Sequence, residues 1–205
     1  MNLPVIAVVD YGAGNLTSVV KGLEAAGATA RIATGPDALA GAAAIVVPGV
    51  GHFDATRALD DAWRTAIIDA TRHGVPLLGI CLGLHWLFEG SDEAPDVPGL
   101  GLFTGRCAHL GNGLKVPHVG WNNLERLTER SVLLEQIEPG AYAYFTHSYA
   151  APVTAGVVAA SAHGGRFAAV AERRNVFGVQ FHPEKSGRTG LQILQNFVAV
   201  AREAR

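Results

Sequence analysis

Cysteine is scarce in these 205 residues, occurring only as Cys81 and Cys107, so no disulfide framework is indicated and any reactive thiol is one of two. Charge is equally thin. Charged residues make up 17% of the chain and the formal net charge is -2, with no Lys/Arg cluster interleaved with aromatics, which argues against a nucleic-acid surface. Nowhere does an apolar run approach the ~20 residues that a membrane-crossing helix needs. The start, Met1-Asn2-Leu3-Pro4, has neither a basic region nor a long apolar core and leads straight into an apparent strand, so a soluble, cytoplasmic protein is expected. The eight histidines show no metal-ligand spacing, and neither a metal nor a cofactor is expected. Internal repeats, low-complexity tracts and flexible linkers are lacking too. One domain over residues 1–205 is the organisation this implies.

What is present alternates strand and helix. Val5 to Val9 is a β-branched run followed by a tight loop, Asp10-Tyr11-Gly12-Ala13-Gly14-Asn15, after which Leu16, Val19, Val20 and Leu23 recur at helical spacing. Strands are expected at 29–33, at 43–47 and at 75–80, with a helix over 54–72 between the last two, giving four parallel strands. Residues 91–101, rich in proline, acid and glycine, predict an exposed loop. Beyond them, short β-type pieces at 102–110, 114–119, 142–146, 155–161 and 167–172 suggest an antiparallel or mixed extension, and Val176 to Phe181 rejoins the sheet. A final amphipathic helix buries Leu191, Leu194, Phe197, Val198 and Ala201. The fold class is α/β: a flavodoxin-like, mixed but mostly parallel central sheet flanked by helices.

Two segments carry chemistry. In Gly79-Ile80-Cys81-Leu82-Gly83, a small residue two before and two after the thiol permits a sharp strand-to-helix turn that lifts the side chain out of the sheet. The helix start that follows favours a thiolate. In Phe181-His182-Pro183-Glu184, alternation along a strand would put His182 and Glu184 on one face, a base beside its orienter. A thiolate that attacks a carbonyl needs donors for the oxyanion, available from the Leu82 backbone N–H and the turn Gly49-Val50-Gly51. Such a site would split an amide.

Other residues have plainer readings. Cys107 reads as a buried hydrophobe, Trp63 and Trp86 as core, and Gly12-Ala13-Gly14-Asn15 as a turn and helix cap, since it lacks the further residues of a phosphate loop. His52, His73, His109 and His163 read as surface polar residues, and His118 and His147 lack an acidic residue at strand spacing. Trp121, in Gly120-Trp121-Asn122, fits an interface as well as a core. Asp92, Glu93 and Asp96 read by themselves as a solvated acidic loop.

The two chemical segments together resemble those of the class I, triad-type glutamine amidotransferases. With Asp10 to Asn15, Pro48 to Phe53, Pro117 to Asn122 and Tyr144 to Tyr149, the resemblance narrows to the glutaminase subunits of imidazole glycerol phosphate synthases and spans nearly the whole chain. It implies a triad of Cys81, His182 and Glu184, L-glutamine as substrate, and a (βα)₈-barrel cyclase as heterodimer partner in histidine biosynthesis. It also implies substrate contacts at Glu93, His147, Ser148 and Tyr149, and a subunit interface at Asn15, Trp121, Tyr144 and Lys185. One departure stands out: His85 occupies the position, four after the nucleophile, where the family usually carries glutamine. On a helix that side chain returns to the nucleophile's face, where a protonated imidazole would stabilise the thiolate. The alternatives are another ammonia-supplying subunit, a stand-alone cysteine hydrolase and a non-catalytic docking subunit.

Overall fold

The computed structural model describes residues 3–111 and 113–204. Its first half follows the alternation expected: β1 (Val5–Val9), α1 (Leu16–Ala25), β2 (Thr29–Ala33), β3 (Ala44–Val47), α2 (Asp61–Arg72), β4 (Leu77–Ile80) and α3 (Leu82–Leu87). Short strands follow, β5 (Gly90–Ser91), β6 (Arg106–His109), β7 (His118–Asn123), β8 (Glu125–Arg126), β9 (Tyr142–His147) and β10 (Tyr149–Ala150). The chain closes with β11 (Val157–Ala162), β12 (Arg166–Arg173), β13 (Val176–Val179) and α4 (Gly187–Glu203).

The main sheet has eight strands in the order β2-β1-β3-β4-β13-β12-β11-β8. Its β2-to-β13 half is parallel, and the β12, β11 and β8 edge is antiparallel, as the sequence pattern suggested. Alternation along β1 divides two apolar layers. Ile6 and Val8 pack with Val19 and Leu23 of α1 and with Ile193, Leu194 and Phe197 of α4. Ala7 and Val9 face the other way, towards Trp63 and Ile67 of α2 and Leu84 and Trp86 of α3. Each such large side chain contributes roughly 1.5–3 kcal/mol on burial. Trp63, Trp86 and Cys107 are all buried.

Several boundaries differ from the expectation for local reasons. The helix expected over 54–72 is divided: Phe53–Ala58 is a 3₁₀ turn, and α2 begins only where the Asp60 side chain accepts from the Trp63 N–H. The strand expected from 102 starts at Arg106, because the N–H groups of Leu102 and Phe103 go to the Leu87 carbonyl at the end of α3. β7 starts at His118, just after Pro117, which has no N–H to offer a ladder. Residues 91–101 form a turn-rich loop that is exposed at Asp92, Pro95, Asp96, Pro98 and Gly101 but is otherwise packed inward. Ser91, Ala94, Val97 and Leu100 are buried, and Gly99 and Gly101 donate back to Glu89 and Phe88.

β7 and β9 form a separate two-stranded ribbon in which Trp121 lies opposite Tyr144 and His118 opposite His147. The face carrying His118, Phe145 and His147 is buried, and the opposite face is open. Among the described residues no helix is long and apolar enough to cross a membrane, and no group of three or more His, Cys, Asp or Glu residues could hold a metal ion.

Candidate active site

β4 delivers Cys81 at the centre of the sheet, where the Cys81 N–H extends the ladder by donating to the Val179 carbonyl at 2.8 Å. The chain then reverses into α3. Cys81 takes φ 53°, a left-handed conformation that costs a non-glycine residue roughly 1–3 kcal/mol. Both flanking glycines are required by contact. A Cβ on Gly79 would lie 2.6 Å from the Gly83 carbonyl oxygen, and one on Gly83 would lie 1.8 Å from that of Val47. The strand-to-helix elbow read from the sequence is therefore built, with the thiol projecting from it.

His182 and Glu184 meet beside it, though not by strand alternation. β13 ends at Val179, and His182 precedes a 3₁₀ turn, Pro183–Lys185, that carries Glu184. The turn brings Glu184 Oε1 to 2.9 Å from His182 Nδ1, with both side chains 2% exposed. Burial disfavours a charged imidazole, but the Cys81 side chain and the Glu184 carboxylate outweigh it and hold the His182 pKa at about 9. Among the described residues His182 Nε2 has no partner within hydrogen-bonding geometry, so its link to Cys81 here is one of proximity and charge. The main chain of His182 is fixed twice: its N–H donates to Tyr144 O at 2.9 Å, and its carbonyl accepts from Ser186 Oγ at 2.7 Å.

A cavity of about 260 Å³ opens on the thiol, lined by Gly51, Cys81, Leu82, His85, Glu93, Pro117 and the segment Thr146 to Tyr149. Seven of the nine binding residues expected from the sequence therefore gather there: Gly51, Leu82, His85, Glu93, His147, Ser148 and Tyr149. Glu93 is held by the Phe53 N–H, which donates to Oε2 at 2.8 Å. Gly49 and Val50 do not line the cavity. The Gly49 carbonyl instead accepts from the Leu82 N–H at 3.3 Å, so that expected oxyanion donor is engaged. His85 also departs from expectation. Burial drives its pKa down to about 4, and it is a neutral ring at pH 7 rather than a cation beside the thiol.

The family of the chain is decided by comparison. A model of the class I glutamine amidotransferase family matches residues 7–201. This chain belongs to the class I glutamine amidotransferases. Among curated relatives, the imidazole glycerol phosphate synthase subunit HisH of Thermococcus kodakarensis is 49% identical over 198 residues, covering 94% of this chain and 98% of that one. The HisH subunit of Natronomonas pharaonis is 48% identical over 202 residues, 94% of this chain and 93% of its own. Solved structures similar in fold include PurLQS from Thermotoga maritima, with a TM-score of 0.77 at 21% identity over 96% of this chain and 98% of that one. A crystal structure of a glutamine amidotransferase has a TM-score of 0.74 at 19% identity, again over 96% and 98%.

Within this amidotransferase, the interface candidates lie apart from the cavity floor. Trp121 is 56% exposed and packs edge-on against Tyr144 at 6.1 Å, on the open face of the ribbon. Lys185 is exposed in the Pro183–Lys185 turn, and Asn15 is the N-cap of α1, its side chain accepting from the Ser18 N–H. Sequence reasoning missed three residues of the site. Thr146 lines the cavity with its carbonyl 3.9 Å from Sγ, Gln180 donates from Nε2 to Sγ at 3.8 Å, and Tyr11 packs its buried hydroxyl against Gly49. The Tyr11 phenol is pushed up by burial, then by Cys81. His163, read as a surface residue, is half-buried and stacks on His118 at 4.4 Å.

Proposed function

We propose that the chain is the glutaminase subunit of an imidazole glycerol phosphate synthase, with Cys81, His182 and Glu184 as its triad. The single observation that carries the hydrolytic reading is the buried His182–Glu184 pair at 2.9 Å, set beside a thiol on a strained elbow that opens into a cavity. The Cys81 proton rests on His182, and the thiolate adds to the side-chain amide carbon of glutamine. As the C–N bond breaks, His182 returns the proton to nitrogen and ammonia leaves. Water, deprotonated by the same imidazole, then cleaves the thioester to give glutamate and restore the thiolate. Glu93 and the Thr146 to Tyr149 segment supply polar groups for the substrate's amino acid end.

Ammonia released into neutral water would mostly become ammonium, which is no nucleophile. A covering partner prevents that loss, and the partner that fits this reading is a (βα)₈-barrel cyclase. Val119, Trp121 and Tyr142, each more than half exposed, give the ribbon an apolar docking face. Asn15 and Lys185 complete the proposed interface. The same ribbon holds His182 through Tyr144 O and faces Sγ through Thr146 O, so docking acts directly on the triad. The resting oxyanion site is closed, because the Gly49–Val50 peptide turns its carbonyl towards Leu82. Rotation of that peptide would free the Leu82 N–H and bring in the Val50 N–H, a step that partner binding can drive.

Glutamate production tests this reading, measured with the chain alone and with a barrel cyclase plus its nucleotide ligand. Weak activity alone and strong activity in the mixture is the expected result. Silence in both would favour a docking subunit, and hydrolysis of other amides by the chain alone would favour a stand-alone hydrolase.

A further inference from the structure

Besides the triad histidine, Cys81 Sγ has two polar neighbours of opposite character. The Thr146 carbonyl, 3.9 Å away, can only accept, and so favours the thiol. The Gln180 amide nitrogen, 3.8 Å away, can only donate, and so favours the thiolate. Gln180 is fully buried just past the end of β13, where its N–H is tied to the Ala169 carbonyl at 2.9 Å. Its Oε1 lies 2.8 Å from Nε2 of His85, and the other ring nitrogen of His85, Nδ1, is buried with no hydrogen-bond partner among the described residues.

Chemistry fixes the direction of this chain of groups. A thiolate has no proton to give, so the amide must turn its nitrogen to sulfur and its oxygen to His85. That oxygen only accepts, so the proton of a neutral His85 must sit on Nε2. A reversed amide would set an oxygen lone pair against the sulfur anion. Each hydrogen bond therefore points the same way, from His85 to Gln180 to Cys81.

We infer that Gln180 is a hydrogen-bond donor to the Cys81 thiolate, and that His85 is the positioning residue that holds the amide in the donating orientation. The inference rests on the hydrolytic reading proposed above and adds to it the group that poises the nucleophile. It gives His85 a role that needs no positive charge. Once sulfur is acylated it carries no charge, so the Gln180 bond favours the resting thiolate and its release at the end of the cycle.

The test is the pH dependence of Cys81 alkylation by iodoacetamide, read by peptide mass, with fully buried Cys107 as the internal reference. This readout does not require glutamine turnover. In Gln180→Met the alkylation midpoint is expected to rise by about one pH unit, and in Gln180→Glu by more. His85→Ala should raise it by a smaller amount, His85→Gln should restore it because its amide still donates, and Gln180→Met with His85→Ala should fall short of additivity. A midpoint unchanged in Gln180→Met, with an unfolding curve like that of the unsubstituted chain, overturns the inference. Should the variants fail to fold, the unsubstituted protein still decides the matter: the Gln180 side-chain amide resonances must shift across the same midpoint, and their failure to do so overturns it. A moved midpoint without glutamine hydrolysis would support the donor and sink the proposed function; hydrolysis with an unmoved midpoint would do the reverse.

Discussion

Gly49 shows how little room this site leaves. A Cβ there would sit 2.1 Å from the Tyr11 hydroxyl and 2.8 Å from Leu82 Cβ, so Gly49→Ala should cost about 1–3 kcal/mol of stability, checked by denaturant unfolding, and lower glutaminase activity as well. In the proposed mechanism Glu184 acts through orientation. Glu184→Gln would hold His182 in the wrong tautomer, and kcat is expected to fall by about 10²- to 10⁴-fold with KM changed little, as steady-state kinetics would show. At this scale the sequence was legible where the chemistry is local. The glycines around Cys81 sit two residues away from it, and their spacing alone announces the elbow. Gln180 was illegible, since its partners Cys81 and His85 are 99 and 95 positions away and nothing in a lone glutamine announces a donor.

The ribbon is the element that would join the proposed partner to the proposed triad. Its inner face is anchored by Phe145 and His147, and on its outer face Trp121 meets Tyr144 edge-on and stays half exposed. Trp121→Ala should therefore weaken partner binding by about 2 kcal/mol or more in titration calorimetry, while leaving the unfolding of the isolated chain nearly unchanged. Short β-type pieces foretold the ribbon's strands but set β7 at 114–119 rather than His118–Asn123, because residue composition does not register that Pro117 lacks a donor. The His182–Glu184 contact was foreseen for the wrong reason. A short 3₁₀ turn, favoured by Pro183 at its start, makes it, and strand periodicity has no part. Residues 91–101 were legible only in part, since Asp92, Pro95, Asp96 and Pro98 face solvent as read while Ala94, Val97 and Leu100 fill the space beside α3.

For the molecule as a whole, buried histidines set a stability window in pH. His85 and His147 are held near pKa 4 and 3 by burial, below the ordinary 6.5, so the unfolded chain takes up their protons first. Their contribution is complete above pH 6.5 and is lost as pH falls through about 4 and 3. His182 has the opposite sign. Its pKa of about 9 means that its contribution is complete below 6.5 and is lost as pH rises through 9. Denaturant midpoints across this range should fall on both sides, and Cys81→Ala, which removes one of the groups that favour the imidazolium, should flatten the alkaline limb. The parallel half of the sheet and both apolar layers were legible in the alternation of strand and helix, because burial on both faces leaves continuous apolar runs. The central claim is that Cys81 is the nucleophile for glutamine, and the most direct measurement is mass analysis of the chain, with its cyclase partner and nucleotide present, after treatment with a glutamine analogue carrying a diazoketone in place of the amide. One adduct on Cys81, lost in His182→Ala and blocked by glutamine, is the predicted result; an unmodified Cys81, or an adduct on Cys107 instead, would contradict it.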